Sequence, residues 1–209
     1  IRQSNAYTKV LLRALNKGKS KANYDDKNKL AQQLKIVTKL ISGGLKTKLF
    51  VLTLDGFDTH ANQVIENDST NGIHAVKLKI LSDAITTFQN DLKLVGIENR
   101  VIGITTSEFG RQIKENSSFG TDHGSAAPLF LFGKPIKQSV IGEHQQINKE
   151  VEDQEGIEMQ YDFRNIYGSI LVDWFNVSIN NVKELLYKEF TYIPTAREDA
   201  FYLDLAFSP

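Results

Sequence analysis

A long amphipathic segment flanked by short apolar runs is the feature that most constrains the fold of this chain. Residues 75–95 carry apolar side chains at helical spacing, and Gly96 follows as a helix terminator. The runs 49–54 and 101–104 are short and almost wholly apolar, as in strands buried on both faces of a parallel sheet. A strand, a long helix and a second strand form a βαβ unit. The sequence therefore predicts an α/β fold with a mostly parallel sheet flanked by helices.

Further segments complete the predicted domain. Helical spacing or a helix cap occurs at 6–15, at 29–42, after Asp162 and over about 181–190. The apolar run 128–132 and the alternating apolar residues of 201–207 are predicted as strands. Residues 134–161 are polar and acidic, and they are predicted to form a surface excursion. We expect residues 1–209 to form a single α/β domain or the C-terminal part of one.

Composition and charge argue against several classes of protein. Lys plus Arg and Asp plus Glu each number 25, so the formal net charge is zero. A general nucleic-acid or membrane-surface binder needs an electropositive face, which this balance does not favour. Cysteine is absent, which excludes disulfides, thiolate catalysis and cysteine-ligated zinc. No apolar run approaches the roughly 20 residues that a transmembrane helix needs, so no transmembrane segment is predicted.

Three short polar clusters lie next to the predicted strands, at 56–60, 107–111 and 120–124. Together they hold two of the four histidines, three carboxylates and one arginine. The first two clusters come where predicted strands end, and the third lies in the loop that leads into 128–132. Ligands of parallel α/β sheets bind beyond the carboxyl ends of the strands. The sequence therefore predicts that the three clusters form one site.

Asp58 and His60 are two residues apart in the first cluster. In an extended segment residues i and i+2 point the same way, so both side chains can face one metal ion. An aspartate and a histidine are suitable ligands for Zn²⁺, Mn²⁺ or a similar ion. The alternative is an aspartate that caps the next turn, with the histidine stacked nearby.

The second cluster offers a carboxylate and a guanidinium group. Glu108 follows a predicted strand and is a candidate metal ligand. Arg111 lies three residues further on, and its planar fork of donors can hold a phosphate or sulfate oxygen. The alternative is a structural ion pair between the two residues. Thr106 and Ser107 are candidate nucleophiles, because a metal can activate a neighbouring hydroxyl group.

The third cluster places Asp122 and His123 between two glycines. Gly120 and Gly124 allow the backbone to take unusual angles, so the two side chains can converge as metal ligands. The alternative is a turn capped by the aspartate. In either case the cluster lies just before the apolar run 128–132.

The motifs and their order resemble a known family. GFDTHANQ at 56–63 is followed by TSEFGR at 106–111, GTDHG at 120–124, and DFR at 162–164 with Tyr167. Over roughly residues 25–175 this pattern resembles the uncharacterised bacterial family catalogued as domain of unknown function 1501. That family looks like a branch of the alkaline phosphatase and sulfatase superfamily. The resemblance therefore implies an alkaline phosphatase-like core with one or two metal ions at the strand ends.

The resemblance also assigns roles by position. Asp58 and His60 match the Asp/His ligand pair on the first core strand of the superfamily. Glu108 falls where the superfamily places an Asp-His pair, and Phe109 stands in place of the histidine. Asp122–His123 precede the next strand, where the superfamily has its last histidine ligand. The family has a further N-terminal half with an aspartate ligand and the nucleophile, so this chain is expected to be the C-terminal half.

Two functions follow as hypotheses. The first is an exported metal-dependent hydrolase of phosphate or sulfate esters, with one or two Zn²⁺ or Mn²⁺ ions and with Arg111 holding the anionic group of a small or polymeric substrate. The second is a non-catalytic exported binding or assembly module that keeps the fold and a structural metal. A calcium site is a weaker third reading, because histidines are poor calcium ligands. The chain begins at Ile1 and its one methionine is Met159, so we expect a processed or partial product. The resemblance implies a periplasmic or cell-surface location and an N-terminal half as partner.

Overall fold

A computed structural model describes residues 2–66, 68, 70–137 and 140–196 of the chain. The chain divides into two compact units. The first unit comprises the residues up to Glu98 together with Asn116–Gly120. The second unit comprises Asn99–Glu115 and the residues from Thr121 onward.

The first unit is built from three helices, α1 (Arg2–Lys17), α2 (Lys29–Ser42) and α3 (Ile73–Leu94). Helix α2 packs against both α1 and α3. Its N-terminus is capped by Asn28, whose side chain accepts a hydrogen bond from the amide of Ala31. A small apolar cluster of Ala14, Leu40 and Leu45 joins α1 to the end of α2, and Phe50 packs against it.

The second unit contains four short strands and two helices among its described residues. Strand β1 (Gly103–Ile104) pairs with β4 (Leu131–Phe132), and β2 (Gly110–Arg111) pairs with β3 (His123–Gly124). Both pairs are antiparallel. Helices α4 (Phe163–Phe175) and α5 (Ile179–Leu185) follow. A single 3₁₀ turn, Glu98–Arg100, precedes the strands.

The prediction of a mostly parallel sheet is wrong. The runs 101–104 and 128–132 do meet, but Gly103 lies opposite Phe132 in an antiparallel pair. The run 49–54 is not a strand. A parallel pair requires a crossover connection, usually a helix, whereas an antiparallel pair needs only a returning loop. Between β1 and β4 the chain forms the β2–β3 pair and no helix, so it returns antiparallel. The described residues therefore do not form an alkaline phosphatase-like core.

The predicted helices are confirmed. Helix α2 has the predicted limits, and the helix predicted over 75–95 is α3. Asp162 caps α4, as its side chain accepts a hydrogen bond from the amide of Arg164. The helix predicted over about 181–190 is the shorter α5. The strand predicted over 201–207 lies outside the described residues.

The polar stretch 140–161 contains no named helix or strand. Within the second unit it lies next to β2 at Gly156, which forms an isolated bridge with Gln112. The side-chain amide of Gln160 accepts from the backbone N–H of Glu143 and donates to its carbonyl oxygen, both at 2.8 Å. No helix among the described residues is long and apolar enough to cross a membrane.

Candidate functional site

Asp58 and His60 lie side by side in a loop of the first unit. Oδ1 of Asp58 is 3.1 Å from Nε2 of His60, and the two side chains are 57% and 50% exposed. Thr59 between them is buried, and its hydroxyl group donates a 2.7 Å hydrogen bond to the side chain of Gln63. Alternate residues therefore point outward, as the i, i+2 spacing predicts.

The loop 116–120 of the first unit forms hydrogen bonds with the backbone that carries this pair. Nδ2 of Asn116 donates a 2.9 Å hydrogen bond to the carbonyl oxygen of His60. Oδ1 of the same asparagine accepts from the amides of Ser118 and Gly120, at 2.9 and 3.1 Å. The amide of Asn62 donates to the carbonyl oxygen of Ser118 at 2.9 Å. Asn116 thus joins its own turn to the backbone of His60. Asn116 is not among the site residues predicted from the sequence.

A glycine is required at position 120 because there is no room for a Cβ, and not because of its φ and ψ angles. Neither Gly120 nor Gly124 has a positive φ. A Cβ on Gly120 would lie 2.3 Å from the carbonyl carbon and oxygen of His60. A Cβ on Gly124 would lie 2.5 Å from the same two backbone atoms of Arg111. The predicted role of unusual angles at these glycines is therefore wrong, and close backbone approach replaces it.

In the second unit, Arg111 and His123 face each other across the β2–β3 pair. The ring of His123 stacks on Phe109 with a centroid distance of 3.7 Å and an interplanar angle of 10°. Cζ of Arg111 lies 5.0 Å from the centroid of the same phenyl ring. Nη1 of Arg111 donates a 2.7 Å hydrogen bond to the carbonyl oxygen of Thr121. Phe109, which stands in place of an expected ligand, is therefore the ring on which Arg111 and His123 are arranged.

Glu108 and Asp122 are both exposed. Among the described residues Glu108 forms no ion pair with Arg111, so the structural alternative for that pair is not observed. The backbone carbonyl of Asp122 accepts a 3.0 Å hydrogen bond from the amide of Gln112. These contacts fix the backbone of the second and third clusters relative to each other.

The hydroxyl groups considered as nucleophiles both make local hydrogen bonds. Oγ of Ser107 donates to the carbonyl oxygen of Phe109 at 2.7 Å. Oγ1 of Thr106 is 2.9 Å from the hydroxyl group of Tyr167 on α4. Tyr167 belongs to the motif set that carries the family resemblance, and its hydroxyl group contacts Thr106, the residue just before the second cluster.

The Asp58–His60 pair fits two positions of a metal site. Ligand atoms about 2.0–2.2 Å from one ion at a tetrahedral angle are about 3.4 Å apart, so a spacing of 3.1 Å needs only a small adjustment. Within either unit taken by itself, the described residues do not bring three such ligand atoms within 4.8 Å of one another. The roles of Glu108, Asp122 and His123 as ligands stay predictions.

No curated protein and no solved structure matches this chain. One protein family does match, and the match extends over residues 7–172, which includes all three polar clusters and most of α4. The family is described as "protein of unknown function (DUF1501)". The resemblance inferred from the motifs is confirmed at this level. The chain belongs to the DUF1501 family.

Proposed function

We propose that this chain binds a divalent metal ion through Asp58 and His60, and that the ion serves the hydrolysis of a phosphate or sulfate ester. The 3.1 Å approach of Oδ1 and Nε2 carries the proposal. Both side chains are exposed, and buried Thr59 and the contact from Asn116 keep the intervening backbone in place. A preorganised pair loses less conformational freedom on binding an ion than two mobile side chains would.

The donor set favours Zn²⁺ or Mn²⁺. One carboxylate oxygen and one imidazole nitrogen suit borderline divalent ions, whereas calcium takes six to eight oxygen ligands. Water, substrate or further side chains would complete the coordination. Glu108, Asp122 and His123 are the side chains that the sequence predicts for this role.

A bound ion of this kind polarises an ester oxygen and stabilises the charge that develops during hydrolysis. Asp58 and His60 must be deprotonated to bind it. Arg111 is the proposed contact for the anionic group of the ester, since a guanidinium fork matches phosphate and sulfate oxygens. The carbonyl of Thr121 and the ring of Phe109 orient this guanidinium, which supports a fixed role in binding.

One observation favours the second candidate, a metal-binding module without catalysis. The hydroxyl groups of Thr106 and Ser107 are engaged by Tyr167 and by the carbonyl of Phe109. A serine or threonine nucleophile needs a general base or a metal beside it. The hydrogen bonds of these two hydroxyl groups instead stabilise the local fold.

Metal content of the purified chain, measured by elemental mass spectrometry after reconstitution with Zn²⁺ or Mn²⁺, tests the metal site. We expect bound metal in the native protein and its loss in His60→Ala and Asp58→Asn. His144→Ala is the matched control, because His144 is an exposed histidine outside the three clusters. Absence of metal in the native protein, or its retention in both variants, would contradict the site.

Two further measurements separate the candidates. Glu108→Gln, Asp122→Asn and His123→Ala reveal which predicted ligands contribute, through loss of bound metal. Hydrolysis of 4-nitrophenyl phosphate and 4-nitrophenyl sulfate by the metal-loaded chain tests the activity. For an ester hydrolase, Arg111→Lys should raise KM more than it lowers kcat, because a bidentate anion contact is lost. Bound metal with no hydrolysis of either ester would favour the non-catalytic module.

A further inference from the structure

Phe119 has a backbone conformation that is rare for an aromatic residue. Its φ angle is 57°, in the left-handed region that glycine and asparagine occupy most readily. A residue with a Cβ is strained there, because the Cβ comes too close to the following carbonyl oxygen. Strained residues are held in place by their surroundings, and they are concentrated at active sites and ligand clamps. The conformation of Phe119 therefore points to a role in binding.

Hydrogen bonds within the first unit hold Phe119 in this conformation. The carbonyl oxygen of Phe119 accepts a 3.2 Å hydrogen bond from the amide of Val64. The amide of the next residue, Gly120, donates to Oδ1 of Asn116 at 3.1 Å. These bonds restrain the backbone at Phe119 and just after it, so the strained angle is maintained.

The same loop brings Phe119 close to the Asp58–His60 pair. A Cβ on Gly120, the following residue, would lie 2.3 Å from the carbonyl carbon of His60. Adjacent Cα atoms are about 3.8 Å apart and a carbon–carbon bond is about 1.5 Å long, so the Cα of Phe119 lies within about 8 Å of that carbon. A phenylalanine side chain spans much of this distance. Phe119 is 37% exposed, so part of its surface is open to a bound molecule.

We propose that Phe119 is a specificity-determining residue of the Asp58–His60 site and contacts an aromatic group of the substrate. The inference rests on the proposed function, and it adds the class of alcohol that the ester carries. With the phosphate or sulfate oxygens at the Asp58–His60 pair, the esterified group comes within reach of the phenyl ring. Contact with a partly exposed ring buries apolar surface, and an aromatic group can also stack on it. The substrates are therefore aryl phosphates or aryl sulfates.

Binding of two phosphonates to the full 209-residue chain, incubated with Zn²⁺, tests the proposal. Phenylphosphonate and methylphosphonate share one anionic group and differ in the ring, and calorimetric titration gives both dissociation constants. We expect the native chain to bind phenylphosphonate more tightly. Phe119→Gly should raise the Kd of phenylphosphonate about fivefold and leave that of methylphosphonate unchanged. Equal Kd values in the native chain, or no change in Phe119→Gly, would overturn the proposal.

Two further variants serve as controls. Phe175→Ala should leave both Kd values unchanged, because Phe175 is 38% exposed at the end of α4 in the second unit. Phe119→Ala lacks the ring, as Phe119→Gly does, and it should lose the same preference. Glycine tolerates a φ of 57° better than alanine, so Phe119→Gly should have the higher midpoint of thermal unfolding. A midpoint at least as high for Phe119→Ala would overturn the strain on which the inference depends.

Metal content and ester hydrolysis keep this inference separate from the proposed function. A chain that prefers phenylphosphonate through Phe119 but binds no metal, or hydrolyses neither nitrophenyl ester, would contradict the proposed function and support the role of Phe119. A chain that binds metal and hydrolyses the esters without this preference would contradict only the role of Phe119. A chain that binds neither phosphonate would overturn the role of Phe119 whatever its metal content.

Discussion

The hydroxyl group of Tyr24 donates a 3.0 Å hydrogen bond to Oδ2 of Asp91, a carboxylate on α3 with no exposed surface. The same carboxylate accepts from the hydroxyl group of Ser20 at 2.7 Å and from the amides of Lys21 and Ala22 at 2.6 and 2.9 Å. These four bonds attach the connection between α1 and α2 to α3. A buried charge is tolerated when it is fully hydrogen-bonded, and that condition is met here.

Asp91→Ala is expected to lower the free energy of unfolding by about 3 kcal/mol, because it leaves the buried hydroxyl group of Tyr24 and three partly buried donors without this acceptor. Urea unfolding followed by circular dichroism measures the change. Asp83→Ala is the control on the same helix, since the Asp83 carboxylate is exposed and forms an ion pair with Lys79. Its expected effect is below about 1 kcal/mol. Equal losses in the two variants would contradict the role of the Asp91 contacts.

The pKa of Asp91 also leads to a prediction of how the free energy of unfolding depends on pH. Burial raises the pKa of this carboxyl group, but the hydrogen bonds from Lys21, Ser20, Ala22 and Tyr24 outweigh burial, so its pKa lies below the ordinary value. The stabilisation is therefore present above the unfolded-state pKa of about 3.9 and is lost as pH falls through the lower folded-state value. Unfolding free energies measured at a series of acidic pH values should fall less steeply for Asp91→Asn than for the native chain. A parallel pH dependence would argue against this linkage.

Tyr192 is predicted to ionise at a higher pH than an ordinary tyrosine. Burial, followed by the 2.5 Å hydrogen bond to the Asp173 carboxylate, raises the pKa of Tyr192 to about 12. The resulting stabilisation is present below the unfolded-state value of about 10 and is lost as pH rises through the folded-state value. Alkaline titration by ultraviolet absorbance should show this tyrosine among the last to ionise, and Tyr192→Phe should remove that component. Because Tyr192 is partly exposed, we expect the substitution to cost only about 1 kcal/mol.

Gly120→Ala is expected to disturb the Asp58–His60 pair from a distance in sequence. The added Cβ would clash with backbone atoms of His60 and Thr59. Because these are backbone atoms, a change of side-chain rotamer cannot relieve the clash, and the backbone of the loop must move. We expect a loss of about 2 kcal/mol in unfolding free energy and weaker metal binding. Calorimetric titration with Zn²⁺ and thermal unfolding measure the two effects.

Ser117→Ala is the control for that substitution, because Ser117 is an exposed residue of the same loop. Asn116→Ala removes the support to the carbonyl of His60 without adding bulk, and it should weaken metal binding with a smaller loss of stability. Unchanged metal affinity in both Gly120→Ala and Asn116→Ala would show that the loop does not position the pair.

The helices of this chain are predictable from sequence because their evidence is local. Side chains of α2 repeat at helical spacing, and Asn28 and Gly43 lie at its ends. Asp162 likewise identifies the start of α4. The outward direction of Asp58 and His60 is also a local property, because it depends on alternation within three residues.

The strand arrangement and the support of the site are not local. An apolar run such as 49–54 predicts a strand, but its partner and its direction depend on backbone groups supplied elsewhere in the chain. The stack of His123 on Phe109 follows from the β2–β3 register, and the contact of Asn116 with His60 joins distant parts of the sequence.

The sequence by itself therefore determined the helices, the Asp162 cap and the family, and it named the candidate ligands, since each depends on residue identity and short-range spacing. Only the tertiary structure decided that β1 and β4 pair antiparallel, that Asp91 anchors the 20–24 connection and that Gly120 must lack a Cβ. These features arise where segments remote in sequence compete for the same space and the same hydrogen-bonding groups. Side-chain packing and the hydrogen bonding of backbone N–H and C=O groups decide the outcome, and neither is encoded in a local pattern.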